Sequence, residues 1–163
     1  MILGILSDTH DRLARTSRAV ATLIAEGAEA IVHCGDLTGT SIVRECGVLP
    51  SYYVFGNNDF DEANLARVMA EVGGVCLGRG DEVVIGGRRV AVAHGDSIRE
   101  VNRLAHASPD YLLYGHSHIA ADERRGDCRW INPGALHRAD RWTVATLDLE
   151  ADVLKFLEID RAV

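Results

Sequence analysis

Two pairs of potential metal ligands are spaced two residues apart in this sequence. Asp8 and His10 form the first pair, His116 and His118 form the second, and each pair follows a short apolar run. In an extended backbone, residues i and i+2 project to the same side, so each pair is expected to present two donor atoms to one cavity. Carboxylate and imidazole groups are common metal ligands, so the two pairs are candidates for metal binding, although Asp8 taken alone also suits a helix N-cap or a turn.

Three further apolar runs end in polar residues of the same kind. The segments are HCGD after residues 30–32, GNND after residues 52–55 and HGD after residues 90–93. Together with the two pairs they provide two carboxylates, one amide and four imidazoles, namely Asp8, Asp36, Asn57, His10, His94, His116 and His118. This oxygen and nitrogen mixture without thiolate suits manganese, iron, zinc or nickel better than calcium or a cysteine-based zinc site.

The elements that must position these groups alternate along the first two thirds of the chain. Short β-branched or aromatic runs predict strands over 2–6, 30–32, 52–55, 90–93 and 111–114. Apolar stripes ending at glycines predict helices before Gly27 and Gly73, and a third helix is expected over about residues 97–106. Such alternation is typical of an α/β layered sheet, in which ligands bind beyond the carboxyl ends of the strands.

The last part of the chain has a different pattern. Shorter alternating segments near residue 122 and over 129–131, 143–149 and 153–159 predict antiparallel strands. We expect them to form or complete a second sheet. The predicted architecture is a core of two sheets with helices outside.

Composition limits the classes of function. The chain has 163 residues, of which 47% are hydrophobic, and this favours a single domain over residues 1–163. A formal charge of −7 opposes a general grip on nucleic acid, so a phosphate ligand would need a local positive centre. The four cysteines contain no CxxC pair, and no export signal or membrane-spanning run is found, which predicts a cytoplasmic protein without a membrane partner.

The ordered series SDTH, GD, GNND, HGD and GHSH across residues 7–118 resembles the motifs of the calcineurin-like metallophosphoesterases. The resemblance is greatest to the small bacterial and archaeal phosphodiesterases, and INPGA at 131–135 is similar to their Asn-Pro-Gly-Ser element. It implies an α/β fold, specifically a four-layer α-β-β-α sandwich of two mixed β-sheets flanked by helices. It also implies one metallophosphoesterase domain spanning residues 1–163.

The resemblance further implies two divalent transition metal ions, manganese first, with nickel, iron or zinc as alternatives. The first ion would be held by Asp8, His10, Asp36 and His118, and the second by Asp36, Asn57, His94 and His116. Asp36 would bridge the two ions. The metals would then be the positive centre that the acidic chain otherwise lacks.

The activity implied is a phosphodiesterase in which a metal-bridging hydroxide attacks phosphorus in line. The expected catalytic residues are Asp36, Asn58 and His94. Many superfamily members have a histidine where Asn58 stands, and an amide cannot act as a general acid. A preference for good leaving groups is therefore expected, unless His137 or a metal-bound water substitutes. Ala135 also departs from the subgroup, which has serine there.

Two alternatives stay open at this point. One is a phosphomonoesterase or pyrophosphatase using the same metals, which additional cationic side chains would favour, but the sequence has no obvious histidine or arginine cluster outside the metal set. The other is a non-catalytic protein-binding scaffold of the same fold. The expected partner is a small phosphodiester substrate, and a homo-oligomer is neither predicted nor excluded. The lone histidines His33, His106 and His137 are interpreted as hydrogen-bonded or surface residues.

Overall fold

Two β-sheets and four helices make up the computed structural model, which describes residues 1–161. The elements in chain order are β1 (Ile2–Leu6), α1 (Leu13–Ala25), β2 (Ala30–His33), α2 (Thr40–Cys46), β3 (Ser51–Tyr53), α3 (Glu62–Glu71), β4 (Val75–Cys76), β5 (Gly80–Ile85), β6 (Arg88–Ala93), α4 (Ile98–His106), β7 (Tyr111–Leu113), β8 (Ala121–Arg125), β9 (Cys128–Asn132), β10 (Thr143–Asp148) and β11 (Val153–Glu158). Within residues 1–161, no helix is both long enough and apolar enough to cross a bilayer.

Both sheets are mixed. The first has the order β11-β10-β1-β2-β3-β4, in which β1 to β4 are parallel and β10 and β11 are antiparallel additions. The second has the order β5-β6-β7-β9-β8, with parallel pairing at its centre and antiparallel pairing at both edges. The carboxyl ends of β1, β2, β3, β6 and β7 all lead into the polar segments identified in the sequence.

Three apolar clusters define four layers. Helices α1, α2 and α3 cover the outer face of the first sheet, where Leu23, Val43 and Met69 are buried. A second cluster fills the space between the sheets. Helix α4 covers the outer face of the second sheet through Val101 and Leu104. The expected α-β-β-α sandwich of two mixed sheets is thereby confirmed, and burial of apolar surface in these layers is the main force that holds the polar loops in position.

Several details differ from the sequence expectations. Strand β3 ends at Tyr53, and α2, β4 and β5 were not expected because each is short or presents a mixed burial pattern. In the last part of the chain, β8 and β9 do complete the second sheet, but β10 and β11 extend the first. Strand β9 also pairs in parallel with β7. Residues 144–147 of β10 are all buried, which is the pattern of an inner strand covered on both faces and not the alternation expected of a half-exposed strand.

Candidate metal centre

The seven predicted ligands all lie in loops at one end of the sandwich. Each loop follows a strand carboxyl end, which is where ligands bind in open α/β sheets. The first sheet contributes the loops after β1, β2 and β3, and the second contributes those after β6 and β7. In that order the loops carry Asp8 and His10, Asp36, Asn57, His94, and His116 and His118. The candidate centre therefore lies across both sheets.

The backbone at the paired ligands is not extended, so the sequence-based reason for their convergence is wrong. Five candidate ligands have left-handed conformations, with φ of 53° at Asp8, 44° at His10, 59° at Asp36, 68° at His116 and 61° at His118. Non-glycine residues adopt this region at a cost of about 1–2 kcal/mol each, and such residues concentrate at functional sites. The side chains converge because each loop turns sharply, not because a strand continues.

Asp8 is fully buried, and its two carboxylate oxygens have different surroundings. Oδ2 accepts hydrogen bonds from the Ser7 hydroxyl at 2.6 Å and the His116 backbone N–H at 3.1 Å. Oδ1 has no hydrogen-bond partner. It lies 3.0 Å from Nε2 of His118 and 3.9 Å from Nε2 of His94. One oxygen thus fixes the carboxylate, and the other is left free for a ligand.

Asp36 lies between imidazoles that come from different sheets. Its Oδ2 is 3.2 Å from Nε2 of His10 and 3.4 Å from Nε2 of His94. Asn58 donates to both carboxylate oxygens, from its backbone N–H to Oδ1 at 2.9 Å and from its amide to Oδ2 at 2.8 Å. Burial alone would raise the pKa of Asp36, but contacts with these imidazoles and the amide outweigh burial and hold the pKa well below its usual range.

Backbone carbonyls orient two of the histidine rings. Nδ1 of His94 lies 2.8 Å from the carbonyl oxygen of Cys34, and Nδ1 of His118 lies 3.2 Å from that of Arg138. When Nδ1–H donates to a carbonyl, Nε2 keeps its lone pair for a metal, and this is the usual way in which proteins fix a ligating imidazole. Burial lowers the pKa of His94, but the nearby Asp36 and Asp8 carboxylates raise it overall to about 9. A proton and a cation would compete for this Nε2 atom.

The donor atoms fit divalent cations. Asp8 Oδ1, His10 Nε2 and His94 Nε2 are buried without hydrogen-bond partners in the described part of the chain, whereas most buried polar atoms in proteins are paired. Two groups have ligand atoms within 4.8 Å of one another, Asp8 with His10 and His118, and Asp8 with Asp36 and His94. Leaving such atoms unpaired costs about 1–3 kcal/mol each, and a bound cation would remove that cost.

Asn57 and His116 lie at the margin of this arrangement. Both are exposed, and His116 does not belong to either of the two groups of carboxylate and imidazole atoms just described. The His116 ring is nevertheless close to the His94 ring, with a centroid distance of 5.1 Å. Asn58, and not Asn57, is the asparagine in contact with Asp36. The ligand roles of Asn57 and His116 therefore stay predictions.

Glycines allow the loops to approach one another closely. A Cβ atom added at Gly115 would lie 2.0 Å from Oγ of Ser7 and 2.6 Å from Oδ2 of Asp8. One added at Gly56 would lie 2.1 Å from Oδ1 of Asp36. Any larger residue at either position would occupy the space of a candidate ligand.

His33 is a positioning residue that connects two of the ligand loops. It is fully buried, accepts a hydrogen bond from the Gly35 N–H at Nδ1 (3.1 Å) and lies 3.0 Å from the Thr9 hydroxyl at Nε2. Burial lowers its pKa to about 3, so the ring is neutral at pH 7. His33 thereby joins the loop that carries Asp8 to the loop that carries Asp36.

Two further side chains connect pairs of loops. The Asp59 carboxylate accepts hydrogen bonds from the backbone N–H groups of Asp36 (2.9 Å), Thr38 (2.7 Å) and Gly56 (2.7 Å). The Asn132 amide donates to the Gly115 carbonyl at 2.9 Å and to the Ser117 hydroxyl at 3.0 Å. Asp59 is the last residue of the GNND segment and Asn132 is the second residue of INPGA, so both lie in motifs that the sequence had singled out. Their function as connectors requires tertiary contacts that the sequence does not show.

A cluster of basic residues lies next to the candidate ligands, contrary to the sequence-based expectation. The His137 ring lies 4.5 Å from that of His10 between centroids. Partial burial lowers the pKa of His137 to about 4, together with its basic neighbours His10, Arg12 and Arg138. These residues are separated by more than a hundred positions in the sequence, so only the fold reveals the cluster.

Comparison with known proteins agrees with this geometry. Residues 1–152 match the calcineurin-like phosphoesterase superfamily domain. A phosphodiesterase of Methanocaldococcus jannaschii is 29% identical over 139 residues, which cover 82% of this chain and 83% of that relative. A phosphodiesterase of Escherichia coli K12 is 26% identical over 149 residues, which cover 83% and 79%. The solved structure of an archaeal phosphodiesterase has a TM-score of 0.89 and 25% identity, covering 97% of this chain and 99% of that one.

The family and the fold were both expected from the sequence, and both are confirmed. The match includes every loop that carries a candidate ligand. The chain is an enzyme of the metallophosphoesterase class and belongs to the calcineurin-like phosphoesterase superfamily.

Proposed function

We propose that the protein is a phosphodiesterase that holds two divalent transition metal ions between its sheets and hydrolyses small phosphodiesters. The observation that carries the proposal is the convergence of three buried donor atoms without partners, on Asp8, His10 and His94. The choice of diester over other phosphoric esters is supported by relatives that are named phosphodiesterases. Manganese as the metal and the cytoplasm as the location remain predictions.

The distances support a division of the ligands between two ions. Asp8, His10 and His118 would hold one ion, and Asp36 and His94, with Asn57 and His116, would hold the other. Oδ2 of Asp36 lies within 3.4 Å of one imidazole from each set, which supports Asp36 as the bridging ligand. Asp8 also belongs to both groups of close donor atoms, so it would share in positioning the second ion.

When bound, the two cations would supply an activated water for in-line attack on phosphorus and positive charge for the non-bridging oxygens. The protein's own contribution is to keep the donors ionised and in place. Contacts hold the pKa of Asp36 low, and carbonyl hydrogen bonds hold the His94 and His118 rings. Asn58 orients Asp36 through two hydrogen bonds.

Proton delivery to the leaving group is the step with least support from the side chains. The Asn58 amide is far too weak an acid to protonate a leaving group, and general acid help commonly contributes about 10²–10⁴ in rate. We therefore expect activated diesters such as bis(4-nitrophenyl) phosphate to be hydrolysed much faster than dialkyl diesters. Equal turnover numbers for the two classes would contradict this account of Asn58.

Metal reconstitution tests the main proposal. The protein would be stripped with a chelator, reloaded with manganese, nickel, zinc or magnesium, and assayed for bound metal by mass spectrometry and for hydrolysis of bis(4-nitrophenyl) phosphate. Two ions per chain and metal-dependent turnover are expected. If the reloaded protein binds no metal and hydrolyses no diester, the scaffold alternative is supported. A scaffold binds partners through its surface and needs no metal at the unpaired donor atoms of Asp8, His10 and His94.

The phosphomonoesterase or pyrophosphatase alternative is favoured by one specific observation, the position of two arginines, Arg12 and Arg138, near His137 and the candidate ligand His10. A monoester carries more negative charge than a diester, so these groups would stabilise it more. Parallel assays with 4-nitrophenyl phosphate, pyrophosphate and bis(4-nitrophenyl) phosphate discriminate between the two. A higher kcat/KM for either of the first two substrates would replace the diester assignment.

A further inference from the structure

A cleft opens directly beside His118. It is lined by the segments 117–120 and 138–141 together with Thr143 and Phe156, and its volume is about 640 Å³. The cleft lies where β8, at the edge of the second sheet, begins and where β10 and β11 form the edge of the first. Cavities of about 300–1,000 Å³ are typical of small-molecule sites.

The cleft adjoins the candidate metal centre at His118. His118 lines it, and the carbonyl of Arg138, another lining residue, lies 3.2 Å from Nδ1 of the same histidine. A phosphorus atom at the metal centre carries two ester arms in a diester. One of those arms would therefore extend past His118 into this space.

The cleft has an exposed apolar surface. Ile119 is 69% exposed and Phe156 is 41% exposed. Phe156 lies on the same strand face as Leu154, which packs against the apolar cluster between the sheets. The Phe156 ring thus extends the core surface into the cleft, where it could stack against a planar ring.

The same cleft also carries positive charge. Arg138 makes no ion pair with any residue in 1–161, and Arg141 lies 3.9 Å from a carboxylate oxygen of Glu158. Asp140 is the acidic residue of the lining and Glu158 faces Arg141, so Arg138 is the lining guanidinium without an ion-pair partner within residues 1–161. A ligand with both a planar ring and a further anionic group would complement this combination.

We propose that this cleft binds one ester arm of the substrate and that this arm is nucleotidic, with its base against Phe156 and Ile119 and a further phosphate near Arg138 and Arg141. The inference rests on the proposed phosphodiesterase function and specifies its substrate class. It assigns specificity to residues that do not contact the metals.

Two substrates with the same leaving group test the proposal. Thymidine 5′-(4-nitrophenyl phosphate) and methyl 4-nitrophenyl phosphate both release 4-nitrophenolate and differ only in the remaining arm. A kcat/KM about tenfold higher for the thymidine ester is expected, because stacking of a base on an aromatic side chain commonly contributes a factor of this order. A 3′-phosphate on the thymidine should increase kcat/KM further.

Variants locate the effect. Phe156→Ala should bring the ratio of the two kcat/KM values close to one, and Arg138→Gln should remove the gain from the 3′-phosphate while keeping the backbone carbonyl that faces His118. Val153→Ala, on the same strand but outside the cleft lining, is the matched control and should keep the wild-type ratio. Calorimetry with thymidine 3′,5′-bisphosphate should show weaker binding to both cleft variants.

The outcomes separate the two proposals. Equal kcat/KM values for the thymidine and methyl esters, with hydrolysis of bis(4-nitrophenyl) phosphate retained, would overturn the cleft assignment alone. Failure to hydrolyse any diester would overturn the proposed function, and the calorimetric comparison would then decide the cleft independently. If Phe156→Ala instead changes the molar mass in light scattering and leaves the substrate ratio intact, the cleft is an interface between copies and the proposal is wrong.

Discussion

Two clusters of acidic and basic side chains in this molecule differ in how completely they are paired. On the second sheet, Arg129 donates to both carboxylate oxygens of Asp122 at 2.8 Å and to Asp152 at 2.7 Å. Tyr111 and Arg124 also donate to Asp152. In the candidate metal centre, by contrast, Asp8 Oδ1 and two imidazole nitrogens have no hydrogen-bond partner.

The difference distinguishes a structural cluster from a binding site. Around Arg129 every carboxylate oxygen has a donor, so the cluster stabilises the fold and contains no carboxylate oxygen without a partner. In the metal centre the unpaired atoms face one another across loops from both sheets. The energy that their isolation costs becomes available to bind a cation. The convergence of unpaired ligand atoms, and not the number of charges, therefore identifies the functional site.

The largest effect is expected from Asp36→Asn. Removing this carboxylate should lower metal affinity and diester hydrolysis by more than about 100-fold, because even groups that only orient metal ligands contribute about 10- to 100-fold. Metal content and turnover, measured with circular dichroism as a check of folding, test the prediction. Asp81→Asn, an exposed site on β5, is the control. Full activity in Asp36→Asn would remove the basis for the comparison of the two clusters.

Gly115→Ala is expected to disturb the centre without changing any ligand. The added methyl group would overlap Ser7 and Asp8, so hydrolysis should fall about 10- to 100-fold, in line with other changes that displace metal ligands. Gly126→Ala is a suitable control, since nothing lies within 4 Å of its added Cβ. Gly126 has a φ of 60°, so this control should lose about 1 kcal/mol of stability but keep its activity. Unchanged kinetics for Gly115→Ala would show that the close packing around Asp8 is not required.

His33→Gln sharpens the distinction between ligands and positioning residues. It should weaken manganese binding about 10- to 100-fold, because the Asp8 and Asp36 loops lose a shared contact. Manganese affinity is measured by titration calorimetry, and stability is measured separately as the midpoint of thermal unfolding. His106→Gln, at an exposed position on α4, should alter neither. A lower thermal midpoint with unchanged manganese affinity would assign His33 a structural role only.

Arg129→Met should produce the smallest effect and should act on stability alone. We expect a loss of about 1–2 kcal/mol at pH 7 with hydrolysis unchanged. Hydrogen bonding to Arg129 lowers the pKa of Asp122, and it also lowers the pKa of Asp152 against the opposing effect of burial. A carboxylate whose pKa is lower in the folded than in the unfolded state stabilises the fold at pH values above its unfolded pKa of about 3.9. This stabilisation is lost as the pH falls through the folded-state pKa.

Denaturant titrations of wild type and Arg129→Met across this range test the sign. The difference in the free energy of unfolding should be constant near neutral pH and should shrink below about pH 4. A difference that grows on acidification would show that the Arg129 cluster does not act through its carboxylates.

Much of the fold and the site could be predicted from the sequence. Apolar runs followed by coordinating residues indicate both the strands and the end of the sandwich at which the loops meet, and the family resemblance supplies the second sheet. The left-handed turns at Asp8 and His116 could not be predicted, because only the packing of the loops selects that backbone conformation over the extended one.

Other features depend on contacts between distant segments. Strand β10 belongs to the first sheet because it pairs with one edge of β1. The local sequence of neither strand indicates which partner it will pair with. The connecting role of His33 and the position of Arg12 beside His137 likewise arise from tertiary structure. Residue type indicates which groups could bind a metal, whereas the neighbours that hold each group are determined by the complete fold.

The pairing of β1 with β10 also bears on how the protein is made. Residues 2–5 pair with residues 145–148, so the strand that leads to Asp8 has its second neighbour only after residue 148 has left the ribosome. Contacts of such long sequence separation slow folding. During synthesis one edge of this central strand is unprotected, and nascent chains halted before residue 143 should be prone to aggregation and degradation.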